Sequence, residues 1–291
     1  MTLSCDELAS GANMRLSMNT IPFTSPITNN STKLFRQFNL MNRKAFSAFA
    51  LAAVFLAQPA LVSGAEQGQS TSGDNSSVEQ GFRKIFNGED LAGWEGNPKL
   101  WSVKDGAITG QTTAENPTRG NTFLIWTNGA LGDFELRCSF KLVPGDTQGF
   151  ANSGIQYRSK VVNPARWVVH GYQADMEAGA TFTGILYEEG IRGIMAMRGE
   201  KVLCDKDGKK QVIGSVGDAA AIQASLKKGD WNEYVIIAKG NHLQQFLNGK
   251  QTVDVTDECE AKRAMSGVLA LQLHAGSPMM AQFKNIRLKR L

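Results

Sequence analysis

Three short stretches put polar side chains where strands could have been apolar. In Asn152-Ser153-Gly154-Ile155-Gln156-Tyr157-Arg158, period-two geometry sets Gln156 and Arg158 on one face and Ile155 and Tyr157 on the other. In Gly171-Tyr172-Gln173-Ala174-Asp175-Met176-Glu177, Gln173, Asp175 and Glu177 share a face. In Val268 to His274, Leu269, Leu271 and Leu273 share the core face, and Gln272 and His274 point away. A solvated outer sheet face would explain these sets. However, they favour Gln, Arg, Asp and His over the Lys, Glu and Thr of a plain surface. Planar groups of this kind hydrogen-bond neighbouring sugar hydroxyls in pairs, and on a curved sheet they would converge in a groove. The segment Thr183 to Gly193 reads as a loop crossing that groove. It brings an aromatic (Tyr187), two carboxylates (Glu188, Glu189) and Arg192 together. Trp167 and His170 precede the second polar strand, and an aromatic face beside hydrogen-bonding groups suits a sugar ring. Asn152 opens the first strand. His242 stands beside a hairpin and reads as structural.

The elements that must position these residues are strands. Phe134, Leu136, Cys138, Phe140 and Leu142 alternate with Glu135, Arg137, Ser139 and Lys141, the signature of a half-buried strand. Leu243 to Leu247, then Asn248-Gly249, then Lys250 to Val255 reads as a hairpin, because Asn-Gly suits the type I′ turn, in which both central residues need positive φ. Further strands are expected at 101–103, 107–110, 234–238, 267–273 and 281–288. Helical periodicity is weak, with at most a turn or two at 219–226. The expectation is one all-β domain over 82–291, a two-sheet antiparallel jelly-roll sandwich of the concanavalin A type with few short helices. The catalytic motifs GxSxG, HExxH, DxDxDG and GxGxxG are absent, as is a phosphate loop. The basic residues form no stripe interleaved with aromatics, which argues against nucleic-acid binding.

The 291 residues carry a net charge of +4, and the N-terminus explains it. Residues 1–65 hold five Lys or Arg and two Asp or Glu, so three of the four excess positive charges lie there. Arg43-Lys44, an uncharged run from Ala45 to Ala57, and a small-x-small end at Ser63 and Ala65 are the parts of a secretory signal peptide over 41–65. Residues 1–40 precede it without clear periodicity and read as a disordered leader or a mis-assigned start, with Met41 beginning the chain. Residues 66–81 are a polar linker. The apolar run is short and Ala-rich for a membrane span, so no span is expected after cleavage, with a membrane anchor as the alternative. The expected location is outside the cytoplasm, periplasmic or extracellular. Cys138, Cys204 and Cys259 would remain. A buried free thiol suits Cys138, and a Cys204–Cys259 disulfide is allowed in an exported chain.

The chain from about Phe82 resembles the family once called domain of unknown function 1080 and now described as 3-keto-disaccharide hydrolases. The opening Phe86-Asn87-Gly88-Glu89-Asp90-Leu91-Ala92-Gly93-Trp94, then Asp133-Phe134-Glu135-Leu136, Asn152-Ser153-Gly154-Ile155 and Gly171-Tyr172-Gln173-Ala174-Asp175 carry the likeness. Trp231-Asn232, Leu247-Asn248-Gly249, Leu271 to Gly276 and Phe283-Lys284-Asn285-Ile286 complete it. The family often has Glu near Gln173 and Gln near Asp175, so this pair departs from the pattern. The resemblance implies a concanavalin-like jelly roll and a carbohydrate partner, a small 3-keto-glycoside or disaccharide. A ketone at C3 acidifies the C2 proton, so a base could remove it and the C1 substituent could leave, with water adding afterwards. On that chemistry His274 suits the base and Arg158 the enolate stabiliser. Asp175 would orient His274 or hold a metal, and Glu188 would be the acid. Gln156, Gln173, Gln272, Tyr187, Arg192, Trp167 and Asn152 would bind substrate.

Direct hydrolysis by two carboxylates, Asp175 and Glu188, is the rival mechanism. A divalent ion on Asp175, His274 and Glu177 is compatible with these side chains, but no spacing motif asks for a cofactor. A lectin-like binding module of the cell envelope is the alternative of another class. The mixture of His, Asp, Glu and Arg leans toward catalysis.

Overall fold

The computed structural model describes residues 79–291. The leader, signal peptide and nearly all of the linker expected from the sequence lie outside the described residues. In chain order the strands begin with β1 (Arg83–Lys84), β2 (Trp94–Glu95), β3 (Trp101–Lys104), β4 (Ala107–Thr112), β5 (Thr122–Trp126) and β6 (Phe134–Pro144). Next come β7 (Asn152–Asn163), β8 (Val168–Glu177), β9 (Leu186–Glu189), β10 (Gly193–Ala196), β11 (Glu200–Cys204) and β12 (Lys210–Ser215). The last five are β13 (Asn232–Lys239), β14 (His242–Leu247), β15 (Lys250–Asp257), β16 (Val268–Leu273) and β17 (Met279–Arg290). A single α-helix among the described residues, α1 (Ala219–Gln223), is capped by Asp218, whose Oδ1 accepts the Ala221 N–H at 2.7 Å.

The strands form two sheets packed face to face as a jelly-roll sandwich. The larger has ten strands, ordered β12-β11-β15-β14-β13-β6-β17-β4-β3, with β1 added beside β17. The smaller has seven, ordered β10-β9-β8-β7-β16-β5-β2. Pairing is antiparallel throughout except between β11 and β15. The alternation read in β6 holds: Phe134, Leu136, Cys138, Phe140 and Leu142 are buried, while the residues between them are half-exposed. Their apolar face meets Ile155 and Tyr157 of β7 and Tyr172, Ala174 and Met176 of β8, and each fully buried large side chain contributes roughly 2 kcal/mol of burial.

The Asn248-Gly249 hairpin joins β14 to β15 as expected, with φ of 48° and 80° at the two turn residues. The three cysteines among the described residues are buried and free, so the Cys204–Cys259 disulfide is not formed. One expectation changes the site. Residues 183–193 do not cross the groove as a loop. Residues 186–189 and 193–196 are instead the hairpin β9–β10, which adds two strands to the edge of the smaller sheet. Period two therefore governs this segment as well.

Candidate functional site

Four neighbouring strands of the smaller sheet build a cavity on the face turned away from the core. Each sends its apolar set inward, so what remains outward is polar: Asn152 from β7, Gln173 and Asp175 from β8, and Tyr187 and Glu189 from β9. β16 adds Gln272 and, just past its end, His274. Register brings them together, since Gly154 is opposite Asp175, Gln156 opposite Gln173, and Gln173 opposite Tyr187. The cavity holds about 290 Å³, and Asn121 closes it from the segment before β5. Phe182, Ile185, Tyr187 and Ile194 form its apolar side.

The polar side is cross-linked. Glu189 accepts from Asn121 Nδ2 at 3.1 Å and from Gln272 Nε2 at 3.3 Å. Asn121 Oδ1 accepts the Ala275 N–H at 3.1 Å, which ties Glu189 to the segment bearing His274. His274 Nδ1 meets the Ala275 carbonyl. A carbonyl only accepts, so Nδ1 carries the proton and Nε2 is the basic nitrogen. The ring packs edge-on to Phe150, centroids 5.6 Å apart. Gln156 is fully buried beneath the cavity, and its side-chain amide meets that of Gln173 at 2.7 Å. Gln173 lies directly over Gly154, where an added Cβ would come within 2.4 Å of the amide carbon.

Three residues lining the cavity hold a buried oxygen with no hydrogen-bond partner: Asn152 Oδ1, Asp175 Oδ1 and Gln272 Oε1. An unpaired buried acceptor costs roughly 1–3 kcal/mol, and three around one cavity mark a place where a polar ligand supplies the missing donors. Burial holds the Asp175 carboxyl well above the usual carboxylate range, and the negative charges of Glu177 and Glu189 push the same way. The Met176 N–H and the Gln173 amide oppose them without reversing the shift. A carboxyl so placed keeps its proton above the pH at which an exposed one loses it.

Of the residues singled out in the sequence, His274, Asp175, Gln173, Gln272, Tyr187 and Asn152 line this cavity, and Gln156 supports it from below. Others do not. Arg158 does not share a face with Gln156: the β7–β8 register shifts between Tyr157 and Lys160, and Arg158 sits at φ 47°, so alternation breaks there. Its side chain is buried at the end of the sandwich, donating to Gly132 O and to Asp133 Oδ1, each at 2.8 Å. Glu188 alternates away from Tyr187 and Glu189, into the space between the sheets. It pairs there with Arg192, which also binds Asp257 Oδ2 at 2.6 Å, and Tyr172 OH donates to the same oxygen at 2.6 Å. Glu188 and Arg192 are thus joined to each other rather than to the cavity.

Trp167 takes a left-handed turn and directs its indole N–H to Glu95 at 3.4 Å, away from the cavity. The His170 ring lies over Gly190. His242 pairs with Asp254 at 3.0 Å on the larger sheet, in keeping with a structural role. Glu177 is committed to the loop after β8, accepting the N–H groups of Thr181 and Phe182. It therefore does not join Asp175 and His274 as a metal set, and no group of three His, Cys, Asp or Glu among the described residues could hold a metal ion. Sequence reasoning passed over Asn121, Phe182 and Ile194, and it named Glu189 in the 183–193 segment without giving it a role. Glu189 had a signal: its one-residue offset from Glu188 decides the face once 186–189 is a strand.

Several solved structures align with this chain at low identity. A candidate glycosyl hydrolase from Parabacteroides distasonis is 19% identical, covers 72% of this chain and 94% of its own, and superposes with a TM-score of 0.47. The carbohydrate-binding module CBM66 from Bacillus subtilis is 15% identical over 68% and 95% of the two chains, with a TM-score of 0.44. The alginate lyase Aly36B is 12% identical over 69% and 88%, with a TM-score of 0.41. No curated protein matches the chain. Residues 81–289, nearly the whole described sandwich, match the 3-keto-alpha-glucoside-1,2-lyase-like domain, and the chain belongs to that family.

Proposed function

We propose that the cavity binds a glycoside oxidised at C3 and cleaves its C1–O bond by elimination, with water adding to the product afterwards. The observation that carries this is the convergence of three unpartnered buried oxygens on a cavity that also holds His274 and a carboxyl with a raised pKa. His274 Nε2 takes the C2 proton, which the C3 ketone has acidified. The C2–H electron pair moves into a C2–C3 double bond, and the ketone oxygen becomes an enolate. The side-chain amides of Gln173 and Asn152, which line the cavity, are assigned as donors to that oxygen. As the enolate collapses to the ketone, a C1–C2 double bond forms and the C1–O bond breaks. Asp175, whose pKa burial raises, gives its proton to the leaving oxygen. Water then adds across C1–C2, and the sum is hydrolysis.

Glu189 stands opposite Gly171, four residues along β8 from Asp175, so the two Cα atoms are separated by roughly 13 Å along the strands. A sugar ring fits between them. Glu189, held by Asn121 and Gln272, fixes the amide that faces the ring rather than acting as the acid. The reading includes export, on the strength of the signal-peptide pattern at 41–65. Among the described residues no helix is long and apolar enough to cross a membrane.

The test is a product assay on purified protein, comparing 3-keto-disaccharides with their unoxidised parents, with and without EDTA. Release of the free leaving-group sugar from the 3-keto substrates alone supports the reading. Binding without release favours a lectin-like module instead.

A further inference from the structure

The cavity has two chemically different sides. Asn121, Asn152, Gln173, Asp175, Glu189, Gln272 and His274 make the polar floor. Beside them, Phe182, Ile185, Tyr187 and Ile194 make an apolar wall. Tyr187 and Ile194 are cross-strand partners on the β9–β10 hairpin, so their side chains stand next to each other. Phe182 is 37% exposed and Ile194 38%, and Ile191, in the turn of the same hairpin, is 51% exposed. Only eight large apolar side chains are exposed among the described residues, and these are three of them. A rim that met only water would gain nothing from Phe and Ile at these positions.

The wall is also held in place. The loop after β8 that carries Phe182 is gripped from two sides. Glu177 accepts the N–H groups of Thr181 and Phe182, and Arg198 donates to the carbonyls of Ala180, Thr181 and Thr183. The hairpin that carries Ile194 is fastened by Lys210, whose ammonium donates to the Ile194 carbonyl at 2.6 Å and the Arg192 carbonyl at 3.3 Å. An exposed aromatic fixed by charged groups on both sides of its loop is a preorganised contact.

We propose that this wall is the leaving-group subsite and that the protein prefers 3-keto-glycosides whose C1 substituent is an apolar alkyl or aryl alcohol over those in which it is a second sugar. The inference rests on the reading of the cavity as a 3-keto-glycoside site. The polar floor holds the oxidised ring with C1 directed toward Tyr187, and the departing alcohol lies along Phe182 and Ile194. An apolar group covered there leaves water as the sugar ring binds, whereas a second sugar would bury hydroxyls against Phe182, Ile185 and Ile194, which offer them no partner, with the Tyr187 hydroxyl the one polar group on that side.

The experiment compares three 3-keto-glucosides with the purified full chain. Their C1 substituents are ethyl, 2-phenylethyl and a second glucose; the two alcohols are similar in acidity, so the intrinsic ease of departure is matched. The expected result is a kcat/KM for the phenylethyl substrate at least about tenfold above the other two, carried mainly by KM. In Phe182→Ser and Ile194→Ser the phenylethyl-to-ethyl ratio falls toward one. In Val212→Ser, an exposed position on β12 outside the cavity, the ratio stays where it is in the unsubstituted protein. Equal kcat/KM for the phenylethyl and ethyl substrates, or preference for the disaccharide, overturns the inference and leaves the underlying reading intact. A ratio unchanged in both Ser variants also overturns it. Failure of all three substrates to react removes the underlying reading, and the inference with it.

Discussion

Arg192 gives the sharpest test of how the site is held. It lies between the sheets with 5% of its side chain exposed, against Glu188 and Asp257 at 1% each. Replacing it with leucine leaves two buried carboxylates facing each other without a cation. Breaking a buried pair by removing one partner costs about 3–5 kcal/mol, and here two partners are stranded. For a domain of this size each kcal/mol lowers Tm by about 2–4 °C, so the expected loss at pH 7.5 is on the order of 10–15 °C. The sign of the pH dependence follows from the pairing. In the native protein burial would raise the Asp257 pKa, but Arg192 and the Tyr172 hydroxyl overcome it and hold the carboxyl below its ordinary value. Its contribution to stability is therefore present above the pKa of the unfolded chain and is lost as pH falls through the lower folded value. In Arg192→Leu only the Tyr172 hydroxyl and the Cys259 N–H still oppose burial at Asp257, so its ionised form is penalised, and the penalty fades as it protonates. The gap between the two proteins should accordingly shrink between pH 7.5 and pH 5, followed by circular dichroism on heating. A loss below about 3 °C, or a gap that does not change with pH, refutes the reasoning. Glu188→Gln, in the same series, should lose stability but keep its turnover per folded molecule, because Glu188 does not reach the cavity.

Three other outcomes follow from the geometry. Asp175→Asn should slow turnover by about 10²–10⁴. Because the raised pKa makes the ionised form a burden on the fold, the same change should raise Tm at pH 8 and leave it unchanged near pH 4, as read by differential scanning calorimetry. Gly154→Ala puts a methyl group where the Gln173 amide lies; it should cost about 1–3 kcal/mol from overpacking and reduce kcat/KM, measured alongside a denaturation curve. Arg158→Leu takes the donor from the Gly132 and Gly240 carbonyls while Asp133 keeps solvent and the Gly240 N–H, so a loss of about 1–3 kcal/mol is expected in urea unfolding, with KM for substrate unaltered.

The strands and the polar face were legible because both depend on alternation, which survives in a single sequence. β6, the Asn248-Gly249 hairpin and the sets Gln173/Asp175 and Gln272/His274 all follow from it. Alternation fails where the backbone adds a residue. The bulge at Arg158 is encoded by a left-handed residue and a neighbouring register shift, neither of which shows in residue types, so Arg158 was placed on the wrong face. Glu188 and Glu189 show the cost of a phase error: read as a loop, either could serve the site, but as a strand only Glu189 can. Asn121 and Phe150 were out of reach for another reason. They come from segments remote in sequence that meet His274 only once both sheets have formed. The buried Arg192 cluster looked like a set of substrate-binding charges because sequence reports charge but not the sheet that covers it.

The central claim is that the C2–H bond is broken by His274 before the C1–O bond is lost. The most direct measurement is the rate of leaving-group release from a 3-keto-glycoside carrying deuterium at C2, beside the protiated substrate and beside the parent with an unoxidised C3 hydroxyl. The account predicts slower release from the deuterated substrate, no release from the parent, and loss of both activity and the isotope effect in His274→Gln. Equal rates for the two isotopologues, together with cleavage of the unoxidised parent, would contradict it and point to direct displacement at C1.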